Sequence, residues 1–111
     1  MDATVKRTAL ETFDVPGSKY ETVMMLVELP PLTKTGFHTH PGFDSAYCLD
    51  GSLTFVALGH DDKHIRAAQS WQVPPGIVHE IRVGYSGAKV LAVYVVEKGK
   101  PLFTPYREIS N

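Results

Sequence analysis

The sequence predicts an all-β domain, a sandwich or a small barrel, and three observations carry that expectation. Short runs rich in Val, Tyr, Phe, Thr and Leu recur along the chain, the composition that pleated surfaces favour. Clusters of Gly, Pro, Asp and Ser separate them at short intervals, as tight turns require. No window carries the spacing of an amphipathic helix, and eight prolines and nine glycines in 111 residues leave little room for long helices.

Taken in order, the first strand is expected at 4–13, ahead of the break VPGS (15–18). The second, 20–29, ends at LPP (29–31), and a third, 33–40, at HPG (40–42). Strands at 44–50 and 52–59 flank Asp50-Gly51, a pair suited to a two-residue hairpin because both central residues of that turn need positive φ. GHDD (59–62) precedes strands at 63–67 and 70–74; PPG (74–76) leads into 78–83, and YSGA (85–88) into 88–96. The tail KGKPLFTPYREISN is polar and broken by proline, and is expected to lie along the barrel surface or a partner subunit.

A chain of 111 residues is the size of one domain, here taken as 1–111, and 43% hydrophobic content supports a real core. Eleven basic and twelve acidic residues give a net charge of −1, too little field to hold a phosphate backbone, so no nucleic-acid partner is expected. The single cysteine, Cys48, allows no intrachain disulfide. No apolar stretch follows Lys6-Arg7, and VMMLV (23–27) and VLAVYVV (90–96) are too short to cross a bilayer as helices. The expectation is a cytoplasmic protein without a membrane partner.

Three of the five histidines need a joint explanation. His38 and His40 are two apart in a predicted strand and so share one face. Neutral imidazoles side by side are good donors for a borderline metal. Pro41-Gly42 then breaks the strand and Asp44 opens the next, while His79 follows the turn residues Pro74-Pro75-Gly76. Singly, each histidine reads as a surface or hydrogen-bonded core residue. Together, the spacing HxHx3D followed by PxGx2H in a β-rich chain points to a metal.

The stretch HTHPGFDSAYCLDG (38–51) resembles the first cupin motif, with His38, His40, position 44 and Gly51 in its spacing, and VPPGIVHEIRV (73–83) resembles the second at Pro74, Gly76 and His79. The resemblance covers about residues 20–97, with the N-terminal strand and C-terminal tail flanking. It implies a small single-domain double-sheet barrel of jelly-roll type, of roughly six to eight strands. It also implies one divalent transition-metal ion per chain, held by His38, His40, His79 and Asp44. Such donors take Fe, Mn, Zn, Ni, Co or Cu and leave a position open for substrate. The chain departs from the family pattern at four places. Asp44 replaces the usual Glu and is one methylene shorter, so it must sit closer or bind through water. Leu32 stands where a glycine usually opens the first motif, Ala68-Gln69 where Gly-Asp opens the second, and Val83 where an Asn closes it.

Strand alternation then places Ala46 and Cys48 inward with Asp44, and Ile81 and Val83 inward with His79. Phe55 is expected with them in the pocket lining, and Trp71, Phe37 and Phe43 as pocket or interface aromatics. Cys48 reads as a buried, inert thiol. The cluster His60-Asp61-Asp62-Lys63-His64 reads as a solvated hairpin tip. Lys34 and Arg82 are single charges near the ends of ligand strands.

Two functional classes follow. The first is a metal-dependent enzyme acting on a small, weakly polar organic molecule, either an oxygenase or a Lewis-acid isomerase, cyclase or lyase. Its catalytic groups beyond the metal site are not identifiable from sequence. The alternative is a non-catalytic module that binds a metal and a small ligand, or senses it. A homodimer is expected, with Val5, Leu10 and Phe13 at one end and Leu102, Phe103 and Tyr106 at the other either meeting a second subunit or folding back onto their own barrel.

Overall fold

A computed structural model describes residues 4–107. Its nine strands are β1 (Lys6–Asp14), β2 (Tyr20–Leu29), β3 (His38–Thr39), β4 (Phe43–Ala57), β5 (Lys63–Arg66), β6 (Ser70–Val73), β7 (His79–Arg82), β8 (Ala88–Glu97) and β9 (Thr104–Pro105). No helix occurs among the described residues. The strands run in the order β1-β2-β8-β4-β7-β3-β9, with β5 and β6 each paired to β4, and every pairing is antiparallel. The result is the all-β, curled double-sheet architecture that the sequence predicts.

The long strand β4 makes the curl. Its first part pairs with β8 and β6 in one sheet, and its second part with β5 and β7 in the other. Between them the register against β8 slips at Cys48/Asp50. The buried positions change parity across the slip, from Asp44, Ala46 and Cys48 to Leu53, Phe55 and Ala57. An extra residue in one strand bends it and re-aims its side chains. Gly51 sits at this corner with φ 77°, where an added Cβ would stand 2.1 Å from the Gly87 carbonyl oxygen. The Asp50-Gly51 hairpin expectation is therefore corrected: positive φ is used here to turn one strand from sheet to sheet. The segment 52–55 finds its partner in 63–66 instead.

The expected strand 33–40 is also corrected. Leu32 at φ 61° and Gly36 at φ 82° swing the chain out of extended geometry. Only Lys34 makes a bridge, to Arg82, before pairing resumes at His38–Thr39. Leu32 and Ala68 (φ 70°) hold left-handed conformations at the two places where the sequence departs from an expected glycine. The backbone shape is kept there against side-chain sterics, at roughly 1–2 kcal/mol each.

The core follows strand alternation. Val23, Met25, Val27 and Leu29 of β2 face inward beside Val90, Ala92, Tyr94 and Val96 of β8. The tail is part of the fold: β9 pairs with β3, the Tyr106 amide donates to the Phe37 carbonyl at 3.0 Å, and Leu102 packs on the core. Through Tyr106 the tail lies against its own barrel.

Candidate metal centre

His38 and His79 face each other as direct partners across β3 and β7, and His40 follows two residues beyond His38. The turn at Pro74–Gly76 docks on this segment, with the Gly76 amide donating to the His40 carbonyl at 3.1 Å. Gly76 itself has φ 79°, which explains why the turn before His79 carries a glycine. One potential ligand nitrogen from each of the three buried histidines lies within 4.8 Å of the other two.

Each ring is also fixed from behind. Nδ1 lies 2.7 Å from the Gly36 carbonyl in His38, 2.8 Å from Leu102 in His40 and 2.8 Å from Ile77 in His79. A carbonyl oxygen only accepts, so each Nδ1 must carry the proton and each Nε2 presents its lone pair to the centre. That second hydrogen bond sets tautomer and ring orientation in metal-binding histidines. Burial lowers all three pKa values, with His40 and His79 brought to about 4. The imidazoles are thus neutral donors at pH 7, and the set fits a borderline divalent ion.

Asp44 lies beside the triad, its Oδ2 3.5 Å from His40 Nε2. Burial raises its pKa to about 7. Its Oδ1 is buried without a hydrogen-bond partner among the described residues, a costly state unless an ion, water or ligand satisfies it. The Tyr94 ring lies tilted against His40, 5.0 Å between centroids, and burial holds its hydroxyl well above the usual phenol range, with the Asp44 charge adding to the effect.

The histidines and Asp44 line a cavity that leaves about 40 Å³ for the centres of water-sized molecules. Ala46 and Ile81 contribute to its wall with Val27, Val90 and Trp71. Cys48 and Val83 are buried in the core outside that lining, and the Cys48 thiol donates to the Asp50 carbonyl at 3.4 Å. Phe55 packs 5.3 Å from the His79 ring and lines a second cavity of about 470 Å³, which shares Trp71 with the first. Arg82 is committed to an ion pair with Glu80. His60 to His64 are exposed and contribute to no metal cluster among the described residues.

Sequence reasoning missed Arg7, Tyr94 and Phe103, which all line the cavity. Tyr94 was within reach, since inward Val90 and Ala92 imply inward Tyr94 by alternation. Arg7 and Phe103 depend on pairing between distant parts of the chain, which has no local signal.

The model of the cupin domain family matches residues 25–103. Among solved structures, the DMSP lyase DddQ from Ruegeria pomeroyi DSS-3 is similar with TM-score 0.76 and 18% identity, over 91% of this chain and 51% of that one. A cupin-like protein from Thermotoga maritima MSB8 gives TM-score 0.75 and 17% identity over 96% and 78%. A single-substitution variant of oxalate decarboxylase from B. subtilis gives 0.66 and 20% over 81% and 25%. The chain thus spans about half the length of the lyase. At these identities the likeness is one of fold. No curated protein matches the chain in sequence.

Proposed function

The chain belongs to the cupin domain family, and from that premise we propose that it is a metal-dependent enzyme acting on a small, weakly polar organic molecule. One divalent transition-metal ion per chain would be held by Nε2 of His38, His40 and His79. The observation that carries this reading is the triple fixing of Nδ1 on backbone carbonyls, which aims three neutral donors at one point. Asp44 would complete the set through one water, consistent with its place beside the triad and its unpartnered Oδ1. A bound ion would supply Lewis-acid polarisation or, if redox-active, dioxygen chemistry.

The chain's own residues define the rest. Val27, Ala46, Ile81 and Val90 give the cavity an apolar wall that suits an apolar substrate body. Burial raises the Asp44 pKa to about 7 in the metal-free chain, and a bound cation beside it would favour the carboxylate. Two of the structural neighbours are named as a lyase and a decarboxylase, which favours an enzyme over a passive binder. Metal analysis of untagged protein should find one ion per chain. Turnover of phenols, diketones or sugar acids with iron or zinc loaded would support the enzyme. A co-purified ligand without turnover would favour the non-catalytic alternative.

The reading includes a homodimer: Leu10 and Phe13 of β1 are exposed, and a second exposed apolar face also supports it. The outward face of the sheet containing β8 is apolar over three strands: Phe43, Tyr47 and Leu49 of β4, Val95 of β8 and half-buried Met24 and Leu26 of β2. Phe43 and Val95 are cross-strand partners, as are Met24 and Val93. A continuous patch of this kind suits a second copy. Light scattering at micromolar concentration should give twice 12.2 kDa, and Tyr47→Glu should shift it toward one chain. A parent mass near one chain rules the dimer out. The reading also places the protein in the cytoplasm, supported by its one buried, unpaired cysteine; no helix is long and apolar enough to cross a membrane among the described residues.

A further inference from the structure

Arg7 is the one positively charged side chain lining the metal-site cavity among the described residues. It comes from β1, outside the region that the family model matches. Pairing with Val27 places it on the inward-facing register of β2, and it remains exposed at the cavity's rim. Its guanidinium carbon lies 4.9 Å from the centroid of the Phe103 ring, a cation–π distance. Phe103 in turn meets His38 edge-on at 5.8 Å. The tail carrying Phe103 is tied down by the β3–β9 pairing and by the His40 bond to the Leu102 carbonyl. Strand β1 and the segment carrying Phe103 thus meet over the histidines.

Arg7 has no carboxylate partner within ion-pair distance among the described residues. Lys19 and Lys100 pair with Glu97, Lys98 with Asp14 and Arg82 with Glu80; what sets Arg7 apart from the other unpaired cations is its place in the cavity lining. The cavity lining holds a single carboxylate, Asp44. A divalent ion and a guanidinium against one carboxylate leave an excess of positive charge. The indole N–H of Trp71, another lining residue, is also buried without an acceptor. Unmatched donors and positive charge above apolar walls describe the complement of a small organic anion.

We propose that Arg7, held over Phe103 at the rim, selects small carboxylate anions for this cavity, pairing with the carboxylate while the apolar body enters between Val27, Ile81 and Val90. This narrows the substrate of the enzymatic reading above to a molecule with an apolar body and one carboxylate, and rests on that reading for the metal. A planar guanidinium offers a fork that matches a carboxylate, which lysine and glutamine do not.

The test compares butyrate with butyramide, equal in shape and different in charge. Binding is followed by calorimetry on metal-free and Co²⁺-loaded protein, for the parent, Arg7→Gln and Arg7→Lys, with Lys89→Gln as a charge-loss control outside the cavity. The Trp71 indole N–H resonance reports occupancy independently of metal. Butyrate should bind the parent at least about tenfold more tightly than butyramide. That preference should fall several-fold in Arg7→Gln, fall less in Arg7→Lys and persist in Lys89→Gln. Equal binding of the two probes to the parent overturns the proposal, as does a preference undiminished in Arg7→Gln. Absence of a Co²⁺ absorption band would instead count against the histidine centre, and the metal-free arm still decides the role of Arg7.

Discussion

A His79→Ala variant should lose metal affinity by at least about 100-fold and no longer carry one ion per chain after dialysis. Removing only the partner that orients a ligand histidine typically costs 10–100-fold, so removing the ligand itself must exceed that. His79 stands alone on β7 opposite His38, while His38 and His40 share the other side. Without it, His38, His40 and Asp44 remain, and one of the three clustered histidine donors is lost. The ring is fully buried, so the variant is also destabilised, and far-UV circular dichroism must show a folded β protein before titration. A shorter route to the same centre is Leu102–Phe103. Deleting the chain from Leu102 onward removes the carbonyl that fixes His40, and the affinity should fall without any ligand being changed. If His79→Ala binds Co²⁺ with the parent's stoichiometry and affinity, the three histidines are not a metal centre.

Much of this centre was legible in the sequence because its determinants are local. His38 and His40 share a face by strand alternation, and the turn at Pro74–Gly76 announces the strand that begins at His79. Asp44, Ala46 and Cys48 point inward together as alternation requires. What escaped was set by contacts between distant segments. Asp50-Gly51 has the chemistry of a hairpin turn, and only its fit against Gly87 shows that it bends one strand between two sheets. Arg7 joined the cavity because β1 pairs with β2 in a particular register. Phe103 joined it because a polar, proline-broken tail found two residues of β3 to pair with. Leu32 and Ala68 carry a related lesson. A missing glycine did not change the turn, since the surrounding pairing holds a left-handed backbone that the residue itself disfavours.

In the metal-free protein, Asp44→Asn should raise stability above pH 7 and lower metal affinity in the same molecule. The folded pKa of Asp44 is about 7, against an ordinary value of 3.8. A raised folded pKa means that the folded state binds more protons than the unfolded chain between those values. Stability is therefore lost as pH rises from about 4 to about 7, and stays lost above it. His40 and His79 act oppositely. Their folded pKa values of about 4 lie below 6.5, so the unfolded chain binds more protons and stability is lost as pH falls from 6.5 toward 4. In the parent Asp44 offsets one of the two histidines across the same window, so its stability should climb with pH about half as steeply as in the variant. The variant keeps only the histidine effect, so its stability should climb steadily from pH 4 to 6.5. Its advantage over the parent should grow until about pH 7 and then level off at up to a few kcal/mol, on the scale of about 1.4 kcal/mol per pH unit separating the two pKa values. Loaded with metal the order should reverse, because the buried negative charge that strains the empty site is what an ion requires. Urea titrations at pH 5 and 8, with and without Zn²⁺, read both halves. An Asp44→Asn variant no more stable than the parent at pH 8 without metal would show that Asp44 carries no buried charge, and its part in the centre would fall with that result.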